Sequence, residues 1–251
     1  MSKFQKLLRK WVPASVLLAS LPFAAAANAA DVVPEPADTN STALWIGIAG
    51  QEDSFAVHAG GVWAANGDLD SSGLLFRGQA VYVNWDFDPD NGDDGDGEIA
   101  RVNGSIGFGF AGDGVAASIF AGLDYQDVDV DPGDGTNLDS ELGLIVTARL
   151  ATNGPTNVPM SLEGNYSTAN DTYWARARAG YRFDWIAIGP EFSVLGDAGL
   201  DAYRIGGYAA LDLSDGVIFE VNGGYHDADG SANNNGSQDS IYGGATLVFV
   251  F

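Results

Sequence analysis

Seven charged residues have the types and spacing to act together: Arg176, Arg178, Arg182 and Arg204, with Glu163, Glu191 and Glu220. A guanidinium offers a planar fork of donors that takes a carboxylate or phosphate bidentately and stacks on sugars or aromatic rings. Two readings fit this set. The arginines could form a selective or substrate-handling surface, or they could pair with the glutamates because a buried charge needs a counter-charge. What positions them is a strand. From Tyr173 to Phe183 the chain alternates strictly, with Tyr173, Ala175, Ala177, Ala179, Tyr181 and Phe183 on one face and Arg176, Arg178 and Arg182 on the other.

A soluble sandwich turns charge to water and apolar residues to a core. Here the apolar face is narrow and ends in aromatic rings, which favours the reverse arrangement of lipid outside and a polar interior. The other arginines, Arg77, Arg101, Arg149 and Arg204, likewise sit on the parity opposite to the apolar face of their segments, as do Glu141, Glu163, Glu191 and Glu220. Strand three is the least clear, because Val81 and Val83 share the face of Arg77.

About twelve such segments follow one another, at 43–51, 53–65, 74–87, 98–110, 115–128, 138–151, 158–168, 171–184, 185–196, 200–213, 216–227 and 240–251. Each is near the roughly 9–11 residues that a membrane strand needs. The fold expected is all-β, a transmembrane antiparallel up-and-down barrel of about twelve strands, with ten as the alternative. Connections on one rim are mostly tight, whereas 88–97, 129–137 and 228–239 are longer and acidic. Tyr82, Tyr125, Tyr166, Tyr173, Tyr203 and Tyr225 fall at the long-loop end of the apolar faces, and Trp63, Phe110, Tyr181, Phe183, Phe249 and Phe251 at the other. Two aromatic girdles at headgroup level account for that distribution. Pro190 cannot donate to a ladder, so a bend is expected there, turning Glu191 towards the arginines of strand eight.

The N-terminus carries a basic stretch (Lys3, Lys6, Arg9, Lys10), an apolar run from Val12 to Phe23 and an A-x-A pattern at Ala27 to Ala29. This predicts a cleaved signal peptide over 1–29, a periplasmic tail over 30–42 and a barrel over 43–251. The 222 residues after the leader would hold seven arginines, no lysine and 34 acidic residues, a formal charge of −27. That sign argues against nucleic acid as a partner. With no cysteine, an exported chain must fold without disulfides.

The acidic loops invite a calcium reading, but Pro132 replaces the glycine an EF-hand needs after Asp127, Asp129 and Asp131, and no dedicated metal site or cofactor is expected. Only His58 and His226 could serve as imidazole bases, so no catalytic residues are assigned. Leu247, Phe249 and Phe251 share one face of a final strand with an aromatic end, a pattern like the signal by which the outer-membrane barrel assembly machinery recognises its substrates.

The segment from Thr172 to Arg182, then Ile188 to Glu191 and Arg204 to Tyr208, resembles the bacterial cellulose biosynthesis protein S (BcsS) family. Asn66 to Asp70 with Gly73 and Arg77 is similar to that family's early segment, so the likeness spans most of residues 44–251. Gly196-Asp197 and Gly207-Tyr208 depart from the family pattern. The resemblance implies a non-enzymatic outer-membrane barrel of Gram-negative bacteria that is an accessory of cellulose synthesis or export. Its partners would be outer-membrane lipid and cellulose or the cellulose synthase and export complex. The alternatives are a small general porin with an arginine-lined lumen, a surface structural or adhesive barrel, and a lipid-modifying barrel enzyme.

Overall fold

The computed structural model describes residues 40–87, 95–131, 139–153, 156–197, 200–230 and 238–251. The expected leader, the tail as far as residue 39 and the centres of the three acidic loops lie outside these residues. Strands run β1 (Thr42–Gln51), β2 (Ser54–Ala64), β3 (Gly73–Phe87), β4 (Gly95–Gly112), β5 (Val115–Asp131), β6 (Glu141–Thr152) and β7 (Met160–Ser167). They continue with β8 (Tyr173–Ala179), β9 (Tyr181–Phe183), β10 (Ile186–Asp197), β11 (Leu200–Ser214), β12 (Val217–Gly230) and β13 (Gln238–Val250).

Each strand pairs antiparallel with its neighbours, and β13 pairs back onto β1, so the sheet closes on itself. Because β8 and β9 both lie against β10, they are two pieces of one stave, and the barrel has twelve staves, not ten. Closure leaves no open edge, which a sheet in hydrocarbon requires.

The eighth stave was expected to run unbroken over 171–184. It lapses instead at Gly180, opposite Gly189 and Pro190, between the pairs Glu191↔Arg178 and Ile188↔Tyr181. Pro190 has no N–H for that ladder. Gly180 keeps its own N–H bonded to Pro159 O at 2.9 Å on the other side. Glu191 faces inward by simple alternation along β10, whose register with β11 is continuous past Pro190. No bend is needed to aim it.

Alternation sorts the two surfaces. Leu44, Ile46, Ile48, Val102, Leu123, Leu142, Leu144 and Ile205 are exposed on the outside, together with the girdle residues Tyr82, Tyr125, Tyr166, Tyr203 and Tyr225. At the long-loop rim several of these tyrosines donate to carboxylates: Tyr82 to Glu98 at 2.6 Å, Tyr166 to Asp171 at 2.8 Å and Tyr203 to Asp227 at 2.6 Å.

The interior is layered, and not polar throughout as expected. Ala56, Val81, Val83, Trp85 and Ile99 form an apolar cluster towards the long-loop rim. Ala43, Trp45, Ala187, Tyr208, Ala210, Ile218 and Val248 form another at the rim that carries both ends of the barrel. Several inward rings lie directly across the ladder from a glycine: Trp45 from Gly60, Trp85 from Gly97, Phe120 from Gly107 and Tyr242 from Gly224. A Cβ on Gly97 would stand 2.1 Å from Trp85 Cζ2, and one on Gly60 would stand 2.4 Å from Trp45 Cζ2. The glycines leave the room in which large rings lie flat against the wall, and so fill a narrow bore.

Candidate functional site

Between the two apolar layers the lumen is charged. Arg176 and Arg178 project inward from β8, where alanines take the outward positions. Register sets their partners. Arg176 lies across from Glu163 of β7, and Arg178 lies across from Glu191 of β10. Arg176 Nη2 is bonded to Glu163 Oε1, and its Nη1 stands 3.5 Å from Glu191 Oε2. Arg178 donates from Nε to Glu191 Oε2 at 2.6 Å, and its Nη2 meets Glu220 Oε1 of β12 at 2.7 Å. The second oxygen of Glu191 accepts Asn222 Nδ2 at 3.1 Å and the Tyr242 hydroxyl at 3.2 Å.

Aromatic faces line the cations. The Arg178 guanidinium lies 4.6 Å from the centre of the Tyr208 ring, and that of Arg204 lies 4.8 Å from Tyr242. In a desolvated site each such contact contributes on the order of 1–2 kcal/mol. Arg176 is 1% exposed and Glu191 2%. Charges this deeply buried hold their place only if they are mutually satisfied, since removing one partner from a buried pair costs about 3–5 kcal/mol.

Five of the seven charged residues picked out from the sequence, Glu163, Arg176, Arg178, Glu191 and Glu220, therefore stand in one cluster. Arg204 is set apart. It donates to His226 Nδ1 and to Gln51 Oε1, each at 3.3 Å, and reaches the cluster through Tyr242. Arg182 is not part of it, because it pairs with Asp212 at 2.5 Å near the terminal rim, where both side chains are partly exposed. Leu247 is half-buried, and Phe249 and Phe251 are exposed on the outer face of the last stave.

A second network escaped the sequence reading. Arg101 grips Asp124 with Nε and Nη2, both at 2.6 Å. Asp124 also accepts Ser167 Oγ at 2.6 Å and Gln126 Nε2 at 3.1 Å. The segments read as 158–168 and 171–184 leave only a short connection after β7. It forms a 3-10 turn, Ala169–Asp171, that tucks into the mouth of the barrel. Asn170, at φ 52, donates from Nδ2 to Gln126 Oε1 at 3.0 Å and to Asp139 O at 3.1 Å. Parity gave a signal for Asp124, which has Tyr125 of the girdle beside it. Nothing local gives the inward fold of residues 168–172.

His58 and His226 are buried and face inward, and neither is bonded to a serine hydroxyl among the described residues. No group of three or more His, Asp or Glu side chains is placed to hold a metal ion among the described residues.

At the terminal rim the loop 65–72 folds under the mouth, with Leu69 N bonded to Asn40 O at 2.7 Å. Burial and the neighbouring Asp68 carboxylate raise the Asp70 carboxyl above its ordinary range. Beside this loop a cavity of about 150 Å³ reaches inward to Arg77, Arg149 and Glu163.

The model of the family described as cellulose biosynthesis protein BcsS matches residues 43–251, the whole barrel but for its first residue, Thr42. The chain belongs to the BcsS family. No curated protein matches it. Among solved structures, the CymD monoaromatic hydrocarbon channel is similar at TM-score 0.50 and 8% identity, covering 85% of this chain and 89% of that one. The KdgM porin follows at TM-score 0.48 and 10% identity, covering 83% and 99%. The translocator domain of the autotransporter NalP from Neisseria meningitidis gives 0.47 and 10%, covering 85% and 90%. At 8% identity the likeness to CymD concerns the fold alone, and the closed antiparallel sheet of twelve staves is that of an outer-membrane barrel.

Proposed function

We propose that this BcsS-family barrel is a non-enzymatic, closed accessory protein of the outer membrane, acting in the export of cellulose or in its retention at the cell surface. Family membership supports the pathway. One observation carries the mechanical half: Arg178, buried at mid-height, is bonded at once to Glu191 of β10 and Glu220 of β12. An ion cluster that joins staves across the interior fills the space through which a solute would pass. Such a barrel works through its rims, by contact with the synthase and export complex or with the polymer. The leader over 1–29 would deliver it to the periplasm, with Leu247, Phe249 and Phe251 read by the barrel assembly machinery.

Deleting the gene in a cellulose-producing host, with staining by a cellulose-binding dye, tests the pathway. The expected result is a loss of surface-retained cellulose that the intact gene restores. Unchanged staining, in a host where deletion of the synthase abolishes it, would refute the reading. The cavity at the terminal mouth favours a second reading, a narrow solute channel, and conductance separates the two.

A further inference from the structure

We propose that the cavity at the terminal mouth is a binding site for a compact organic anion, a carboxylate or phosphate monoester on a flat apolar body. The proposal is independent of the cellulose reading and stands on charge, unpartnered donors and shape.

Between the apolar layers the inward charges are Arg77, Arg101, Arg149, Arg176, Arg178 and Arg204 against Asp124, Glu163, Glu191 and Glu220, among the described residues. Cations are in excess there, although the chain as a whole is at −23. Arg77 and Arg204 make no ion pair with a carboxylate among the described residues. Arg204 is enclosed by His226, Gln51 and Tyr242. Arg77 borders the cavity instead, with one bond to Gln79 Oε1 at 3.0 Å and its guanidinium 5.7 Å from the centre of the Trp45 ring.

Trp45 lines the same cavity at 3% exposure, and its indole N–H has no acceptor in the described protein. Thr147 Oγ1 lines it too and is likewise without a partner. Buried donors left unmade are costly, so a site that collects them is matched to an acceptor-rich guest. Two carboxyl groups also line the cavity: Glu163 at the floor, which is bonded to Arg176, and Asp70 in the rim loop, which burial and the neighbouring Asp68 hold above its ordinary range. The remaining wall includes Leu75 and Phe120, which suits a ring or short hydrocarbon behind the anionic head. A guanidinium fork and an indole N–H converging on one oxygen pair would then hold that head.

The test is calorimetric titration of the full chain, purified from membranes in detergent, with benzoate as probe and benzamide as its uncharged counterpart. Benzoate is expected to bind saturably at one site, and benzamide at least about tenfold more weakly. Arg77→Gln should weaken benzoate about tenfold or more, and Thr147→Val severalfold, whereas Arg182→Gln at the rim should leave it unchanged. If Arg77→Gln does not fold, as judged by heat-modifiable migration, Trp45→Phe supplies the same test by removing the N–H and keeping a ring. Absence of saturable benzoate binding, equal binding of benzamide, or full affinity in the variants that lack these donors would overturn the proposal.

Discussion

Arg178 and Glu191 face each other across the β8–β10 ladder, joined at 2.6 Å from Nε to Oε2, one residue from the proline that interrupts that same ladder. The break and the ion pair therefore occupy one place on the wall. Where β10 cannot hold its neighbour by backbone bonds, a side-chain bridge crosses the joint from inside. Glu191 serves several partners at once, taking Arg176, Asn222 and Tyr242 as well as Arg178.

Glu191→Ala should therefore be among the most damaging single changes in the lumen. It leaves two buried guanidinium groups short of a carboxylate, at a cost of about 3–5 kcal/mol. Urea unfolding in lipid vesicles, followed by tryptophan fluorescence, measures it. Replacing Arg178, Glu191 and Glu220 together by Met, Leu and Leu should be milder than Glu191→Ala alone, because Arg178 is then not stranded and Arg176 keeps Glu163.

Gly97→Ala should destabilise the barrel by about 1–3 kcal/mol, since the new methyl meets the Trp85 ring. In a Trp85→Leu background the same change should cost much less. That non-additivity, read by the same unfolding assay, is the signature of direct packing between the two sites.

Asn170 combines a left-handed backbone with bonds to Gln126 and Asp139. Asn170→Gly keeps the backbone at ease and loses the bonds. Asn170→Ala loses both, and should open the turn more, by about 1–3 kcal/mol in all. Hydrogen exchange of residues 168–172 should accelerate in the order wild type, Asn170→Gly, Asn170→Ala.

Removing Phe251, or replacing Phe249 by Asp, should lower the amount of heat-modifiable barrel in outer-membrane fractions at equal synthesis, if the final strand is the assembly signal. The purified variants should still fold in detergent, because neither ring contributes to the interior.

Much of this was legible because alternation is a local property. The alanines and arginines of β8 declare an outer and an inner face without knowledge of any neighbour. The partition of Arg77 with Val81 and Val83 was ambiguous for a physical reason: the interior contains apolar layers, so valine and arginine can share a wall. Which ring meets which glycine, and that Arg101 meets Asp124, depend on register between strands, and a one-residue slip would change every pair. The turn at Asn170 is harder still, because its inward course is fixed by bonds to Gln126 and Asp139, far from it in the sequence.

A lumen closed by its ion cluster passes no steady current, and conductance across a planar bilayer tests that closure most directly. The wild-type barrel should give no steady ohmic current, while a variant carrying Arg176→Ala, Arg178→Ala and Glu191→Ala should show discrete openings. Steady porin-like steps from the wild type, unaltered by those substitutions, would contradict it.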